Sequence, residues 1–256
     1  MTIAASITSR GAWDSIAAEQ LAARLSLPAV VAFDSVGSTL DVAHALAADG
    51  APNGTLVLAE EQTAGRGRSG RRWSSGPAAG IWLTLIERAL DPATLSLLAL
   101  RLGLAAAEAL APFADGPVGV KWPNDLYSGP KKLAGILAEA RWRDGAPEWV
   151  AIGMGVNVRP PDDVAGAGGL CKGVARLGVL ESLIPALRTA AARMGHLDGS
   201  ELAQFARRDV ARGRQAVEPG AGTVEGVAAN GELLLRAPDG TLASYHSGSL
   251  VFAEAL

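Results

Sequence analysis

Side chains that hold metals or form disulfides are scarce in this sequence of 256 residues, which has one cysteine and three histidines. With Cys171 alone, an internal disulfide is excluded, and a lone thiol is usually a small core or surface residue. His44, His196 and His246 lie far apart in the sequence, so they form no zinc-binding spacing with the cysteine. We therefore expect no dedicated metal site.

Long apolar runs and an excess of positive charge are also absent. No apolar run approaches the roughly 20 residues that cross a bilayer, and no basic segment leads into an apolar stretch near residue 1, as a secretory signal requires. The formal net charge of −3 gives no basic footprint for nucleic acid. Because 49% of the residues are hydrophobic and 19% charged, we expect a folded globular protein. The missing membrane span and secretory signal further predict a cytoplasmic protein without membrane binding, and the net charge predicts no DNA binding.

Strand and helix patterns mix without strict alternation over the first 212 residues. Asp14 and the Asp91-Pro92 pair read as helix starts, as does Ser38 or Thr39. Without regular βα repeats, the pattern favours an α+β fold over a doubly wound sheet. The predicted helices span 14–25, 39–50, a long segment from 91, 180–194 and 200–212, and the predicted strands span 30–33, 55–60, 81–86, 118–122, 135–140 and 149–158.

The character of the sequence changes after Gly213. Short β-like runs at 223–227, 232–236, 242–245 and 250–252 are separated by Asn230-Gly231 and Asp239-Gly240, which are strong hairpin signals. We therefore predict two domains, 1–212 and a small β-barrel at 213–256.

A long loop without helical or strand periodicity lies at 62–80, after the predicted strand 55–60. Its residues 65–73 read Gly-Arg-Gly-Arg-Ser-Gly-Arg-Arg-Trp. The segment contains a G-x-G-x-x-G match, but no helix opens at the third glycine, so a dinucleotide-binding fold is disfavoured. Arginines grip phosphate and carboxylate oxygens, while glycines let the backbone approach a ligand and move until it arrives. Trp73 offers a ring that can stack on a base. A solvated basic loop, or one that grips RNA, is the alternative.

Two further segments carry polar groups at the ends of strands. Pro123 stops the strand 118–122 and leaves Asn124 and Asp125 exposed, although a plain β-turn explains them equally well. Lys131 and Lys132 stand just before the apolar strand at 135–140, where solvated edge lysines are also common.

Together these segments resemble the biotin protein ligases, in which the same motifs occur in this order. The resemblance runs from about residue 30 to the end. It implies an α+β catalytic domain with a mixed sheet, akin to class II aminoacyl-tRNA synthetases, at 1–212 and an SH3-like barrel at 213–256. The motifs are Ser38-Thr39 and the segments 61–71, 121–126, 132–137 and 153–157.

The resemblance also implies residue roles. Ser38, Thr39 and Gln62 hydrogen-bond the ureido ring of biotin, and Asp125 lies near the lysine that is to be modified. The biotin-binding set is Ser38, Thr39, Leu40, Gln62, Gly65, Arg66, Gly67, Arg68, Lys132 and Gly135. The ATP-binding set is Arg68, Arg71, Trp73, Asn124, Lys132 and Asn157, and the catalytic set is Arg66, Arg68, Asp125 and Lys132.

The implied reaction is formation of biotinyl-5′-AMP from biotin and MgATP, followed by transfer of biotin to a lysine of a biotin carboxyl carrier domain. Cations that offset the repulsion between two anions dominate such catalysis. Mg²⁺ enters with ATP. About 30 residues precede the first strand, too few for the winged-helix domain with which some family members bind DNA, so no operator binding is expected. A homodimer is possible.

One residue departs from the family pattern, which usually has asparagine where this sequence has Leu40. Loss of one polar contact to a buried ureido group costs roughly 1–3 kcal/mol, so the departure bears on affinity for biotin. A lipoate or octanoate ligase or transferase on a related domain is therefore one alternative, and a non-catalytic sensor of biotin or a nucleotide is another.

Overall fold

The computed structural model describes residues 11–88 and 90–254, within which lie fourteen strands and five α-helices. The strands are β1 Ala12–Trp13, β2 Ile16–Ala17, β3 Val30–Val36, β4 Thr55–Gln62, β5 Gly80–Glu87, β6 Val118–Lys121, β7 Asp125–Ser128, β8 Lys131–Arg143, β9 Ala146–Asn157, β10 Gln215–Glu218, β11 Gly222–Val227, β12 Leu233–Arg236, β13 Leu242–Tyr245 and β14 Val251–Phe252. The helices are α1 Ala18–Leu25, α2 Thr39–Ala48, α3 Leu95–Leu110, α4 Arg176–Ala191 and α5 Gly199–Arg208.

A seven-stranded sheet in the order β3-β4-β5-β9-β8-β7-β6 forms the frame of the protein. Strands β3 and β4 are parallel and the other neighbours are antiparallel, so the sheet is mixed. Its helices are not βα crossovers repeated along the chain. The predicted α+β class with a mixed sheet is therefore confirmed.

Helices α1, α3 and α4 pack on one face of this sheet and α2 on the other. Helix α2 is ten residues long and contacts mainly β4, β5 and part of β9, while its His44 also reaches Glu139 of β8. The same face continues past the helix along β8 toward Gly135, because residues 135, 137 and 139 alternate with the residues that face α3. This uncovered part of the face is where the cavity described below lies.

The segment 92–113 is long and apolar enough, by length and composition alone, to cross a membrane. In the fold it is the core helix α3 with its flanking turns, and 67% of its most apolar window is buried. The sequence expectation that no apolar run approaches that length overlooked this segment, whose Arg101 is buried and paired with Glu201 at 2.9 Å.

A second sheet, in the order β13-β12-β11-β10-β14, is antiparallel throughout. Gly231 and Gly240 have φ values of 81° and 86°, as the hairpin signals require. Trp122 donates from its indole nitrogen to Gly231 O at 3.1 Å and so joins the two sheets. Strand β10 was not predicted, and the domain boundary near residue 213 stays a prediction.

Three further local features differ from the sequence predictions. The helix expected from Asp14 begins at Ala18, because Asp14 and Ser15 both have positive φ and form the turn between β1 and β2. Aspartate and serine suit such turns as well as helix N-caps, so the pattern was ambiguous. Strand β7 was missed because its start, Asp125, reads as part of a turn. The long helix predicted from Asp91 begins with a 3₁₀ turn before α3.

Candidate active site

A cavity of about 590 Å³ opens on the uncovered face of the main sheet, between the arginine-glycine loop (residues 63–74) and the strands β8 and β9. Its volume lies within the usual range for small-molecule sites. Of the site residues predicted from the sequence, Gly65 does not line the cavity. Those that do are Ser38, Thr39, Leu40, Gln62, Arg66, Gly67, Arg68, Arg71, Trp73, Asn124, Asp125, Lys132, Gly135 and Asn157.

Two glycines form a flat floor for the indole of Trp73. Gly135 of β8 and Gly155 of β9 are directly paired across the strands. A Cβ at Gly155 would overlap the indole nitrogen and lie 2.5 Å from Trp73 Cε2, and one at Gly135 would lie 3.1 Å from Cζ3. Trp73 therefore lies against the sheet because these two positions carry no side chain, and its buried indole N–H has no partner among the residues that the structure describes.

The end of the cavity next to α2 combines an apolar wall with hydroxyl and amide groups. Leu40 is buried and occupies the space beside Gly153, where a Cβ would lie 2.9 Å from Leu40 Cγ. Gln62 Oε1 accepts from the amide and the hydroxyl of Thr39 at 2.9 and 3.1 Å. Ser38 is 1% exposed, and within 11–88 and 90–254 its hydroxyl has no partner. A buried hydroxyl without a partner is costly unless a ligand satisfies it.

The other end of the cavity is cationic. Arg68 Nη1 donates to Asn124 Oδ1 at 3.2 Å, and partial burial lowers the pKa of this guanidinium while Asp125 opposes the shift. Lys132 Nζ lies 2.7 Å from Asp125 Oδ1 and 5.3 Å from the centre of the Trp73 ring. Anions that enter here meet the positive charges of Arg68, Arg71 and Lys132 beside the carboxylate of Asp125, which favours phosphate and carboxylate ligands.

Two asparagines frame this cationic end. Asn124 donates from Nδ2 to Ile136 O at 2.7 Å, which fixes its oxygen toward Arg68. Asn157 donates to Lys132 O at 3.4 Å, and its own oxygen is buried without a partner in the described part of the chain. The Asn157 oxygen is therefore available to a ligand or to an ion that accompanies one.

Gly65 supports the loop from outside the cavity. Trp73 N donates to Gly65 O at 2.9 Å, and a Cβ at Gly65 would lie 2.5 Å from Trp73 O. Only a residue without a side chain fits this close approach of the two ends of the loop. Gly65 lines a second groove, on the other side of the loop, together with Arg66 and Glu139.

Sequence reasoning missed one wall of the cavity. Lys121 Nζ lies 5.8 Å from the centre of the Tyr127 ring and 4.9 Å from that of Phe252, and all three residues line the cavity. Burial lowers the pKa of Lys121 and raises that of Tyr127 to about 12. Lys121 belongs to a motif noted in the sequence, but nothing in the sequence connects Phe252 of β14 with this site.

Comparisons with known proteins agree on one family. Residues 32–157 match the biotin/lipoate A/B protein ligase family. A biotin–acetyl-CoA-carboxylase ligase of Paracoccus denitrificans is 36% identical over 217 residues, which are 75% of this chain and 88% of that protein. The bifunctional ligase/repressor BirA of Bacillus spizizenii is 41% identical over 134 residues, 51% of this chain and 40% of that protein. The chain thus spans less than half the length of the BirA relatives it matches.

A solved structure gives the same answer. The biotin protein ligase from Aquifex aeolicus in complex with biotin and ATP superposes with a TM-score of 0.70 at 26% identity, over 88% of this chain and 99% of that one. This chain therefore matches most of the Paracoccus protein in sequence and the Aquifex protein in structure. It belongs to the biotin protein ligases, within the biotin/lipoate A/B protein ligase family.

Proposed function

We propose that this protein activates biotin with ATP and then attaches it to a lysine of a biotin carboxyl carrier domain. The observation that carries the proposal is the division of the cavity into two chemically different ends. A bicyclic urea with an aliphatic chain and a carboxylate suits the hydroxyl- and amide-lined end, with its carboxylate pointing toward the cations. ATP suits the cationic end.

In the first step an oxygen of the biotin carboxylate attacks the α-phosphorus of ATP, the bond to the β-phosphate oxygen breaks, and pyrophosphate leaves. Arg68 and Lys132 offset the repulsion between the two anions and the charge that develops at phosphorus. To do this, Lys132 exchanges its ion pair with Asp125 for charge-assisted contacts with the carboxylate and phosphate oxygens of the substrates. The product is the mixed anhydride biotinyl-5′-AMP.

In the second step the acceptor lysine amine attacks the acyl carbon and AMP leaves. The amine must first lose a proton, and Asp125, once released by Lys132, accepts it or orients the amine. The ion pair of 2.7 Å therefore links the two steps, since the first step frees the carboxylate that the second uses.

Mg²⁺ fits this site as a companion of ATP. Within residues 11–88 and 90–254 no cluster of three His, Cys, Asp or Glu side chains is placed to hold a metal. Mg²⁺ is often held by one or two protein oxygens together with substrate phosphates, and the unpartnered oxygen of Asn157 is a suitable ligand. When bound, the ion neutralises phosphate charge.

The finer features of the fold belong to the same proposal. The main sheet with its helices, 1–212, is the catalytic domain of the class II aminoacyl-tRNA synthetase type, and the antiparallel sheet in 213–256 is the SH3-like barrel. Phe252, which lines the cavity, supports a direct contribution of the SH3-like barrel to the reaction. The reaction is proposed for the cytoplasm, where carboxylase carrier domains and ATP are found.

The test is biotin-dependent exchange of pyrophosphate into ATP with Mg²⁺, with lipoate and octanoate as competing acids. Exchange with biotin alone is expected. Leu40 supports one second candidate, a ligase for lipoate or octanoate, because it makes the substrate end more apolar. Exchange with either of these acids but not with biotin would establish that candidate instead, and exchange with none would contradict adenylation.

A further inference from the structure

The first arginine of the loop, Arg66, lines the cavity, and two carboxylates hold its guanidinium. Its Nη1 and Nη2 donate to the two oxygens of Glu139, each at 2.9 Å. Nη2 also lies 2.9 Å from Asp41 Oδ1. Two carboxylates thus surround one guanidinium, whose charge is more than neutralised.

A chain of side chains behind Glu139 fixes the position of this carboxylate. His44 Nε2 lies 3.0 Å from Glu139 Oε2, and Trp149 Nε1 donates to His44 Nδ1 at 3.0 Å. Because an indole only donates, Nδ1 must accept, and the neutral ring carries its proton on Nε2. His44 therefore donates to Glu139, while Glu139 accepts from Arg66.

Arg66 also lies where the two halves of the loop pair with each other. Arg66 and Arg72 form an isolated antiparallel bridge, and Gly67 N donates to Arg71 O at 2.7 Å. Arg68 and Arg71, which face the cavity, lie within this folded-back segment. An anchor at Arg66 therefore fixes the positions of the cavity-facing arginines.

We propose that Asp41 and Glu139 are positioning residues that hold the arginine-glycine loop on the sheet through Arg66, with His44 orienting Glu139. Arg66 in this arrangement is an anchor and does not contact the substrate anions. This differs from the role that the family resemblance implies for Arg66. The consequence for the reaction rests on the proposed function, whereas the anchor itself does not.

The matched control lies on the same two strands. Glu148 of β9 pairs with Arg143 of β8 at 3.0 Å, and its side chain is 24% exposed, compared with 30% for Glu139. The pair lies nearer the hairpin tip, since Glu148 is three positions along β9 from Ala151, the residue opposite Glu139. Glu148→Gln therefore removes a comparable ion pair from β8 and β9 without touching the loop.

The first experiment measures tryptic cleavage after Arg68, Arg71 and Arg72 in the ligand-free protein. Glu139→Gln and Arg66→Ala are each expected to raise the rate about fivefold, as loss of one partly exposed charge-assisted pair suggests. Glu139→Asp is expected to restore protection in part, and Glu148→Gln to match the wild type. Wild-type cleavage rates in Glu139→Gln, at unchanged thermal stability, would refute the anchor.

The second experiment distinguishes an anchoring Arg66 from a ligand-binding Arg66 by the direction in which the KM for biotin changes. If Arg66 is an anchor, Glu139→Gln and Arg66→Ala both raise the KM for biotin in the exchange reaction, and the double variant is no worse than the worse single one. If Arg66 contacts the ligand instead, Glu139→Gln frees its guanidinium and lowers that KM, while Arg66→Ala raises it. The second result would overturn the proposal.

A third variant pair tests His44. His44→Leu is expected to raise tryptic cleavage above the wild-type rate but less than Glu139→Gln, and His44→Gln, whose amide can still donate to Glu139, to restore protection. Equal rates for His44→Leu and wild type would refute the orienting role. Failure of wild-type exchange with biotin would contradict the proposed function and leave the cleavage experiments readable, so the two proposals fail separately.

Discussion

Replacement of Gly155 by alanine should push Trp73 out of its place on the sheet. The added Cβ would overlap the indole nitrogen and lie 2.5 Å from Cε2, closer than carbon atoms approach without displacement. The neighbouring atoms belong to a large ring on a loop, so the ring moves rather than the strand. Overpacking of this kind costs about 1–3 kcal/mol in the free energy of unfolding.

The same replacement at Gly135 should have a smaller effect, because its Cβ would lie 3.1 Å from the nearest indole atom. We expect Gly155→Ala to lower the unfolding midpoint by roughly 2–4 °C per kcal/mol lost, and Gly135→Ala to lower it less. Gly116 faces open space within 4 Å, so Gly116→Ala is the control and should leave the midpoint near that of the wild type.

The assay is thermal unfolding of the three variants, together with the KM for biotin in the exchange reaction. Displacement of Trp73 changes the shape of the cavity, so the KM should rise in the same order as the loss of stability. A smaller ring relieves the overlap, and Gly155→Ala combined with Trp73→Leu should recover part of the stability. Equal midpoints for Gly155→Ala and Gly116→Ala would refute the proposed packing of Trp73 on the glycine pair.

Three other perturbations follow from the site and its surroundings. Leu40→Asn should tighten biotin binding about tenfold by adding a polar contact, and an unchanged dissociation constant in calorimetry would exclude position 40 from that contact. Lys132→Ala should abolish pyrophosphate exchange with little change in the unfolding midpoint, and retained exchange would refute the role of Lys132. Burial raises the pKa of Asp209 from 3.8 to about 6, so the folded state holds this proton more tightly, and the free energy of unfolding should fall as pH rises through that interval. Asp209→Asn should lack that fall, worth on the order of 2–3 kcal/mol, and parallel pH curves for variant and wild type in denaturant titrations would contradict it.

The strands of the main sheet could be predicted because apolar runs such as 81–86 are long and bounded by breakers. The motifs of the site could be predicted because they are local in sequence, and all but Gly65 reach the cavity wall. Strand β7 escaped prediction because a four-residue strand that begins at Asp125 leaves no periodic signal. At Asp14 the same residue type serves a turn and a helix cap, so only the folded backbone distinguishes them.

Contacts between distant parts of the chain account for what the sequence did not reveal. The pairing of Arg66 with Glu139 joins residues 73 positions apart, and the contact of Lys121 with Phe252 joins two sheets. Neither contact leaves a pattern in a single sequence, because charge and aromatic residues at these positions are equally compatible with solvated surfaces. Only the relative placement of the strands in the folded chain brings these residues together.

The pairing of Gly135 with Gly155 gives the hairpin turn between β8 and β9 control over a site it does not contact. Asp144 and Gly145, with φ values of 50° and 80°, close that hairpin, and together with the register shift between Arg141 and Trp142 they set which residues of the two strands face each other. Side chains of a strand alternate between faces, so a single residue inserted in the turn would shift one strand by one position and turn Gly155 away from Gly135. A length change at the tip would therefore remove the floor under Trp73, although every residue of the cavity remained in the sequence.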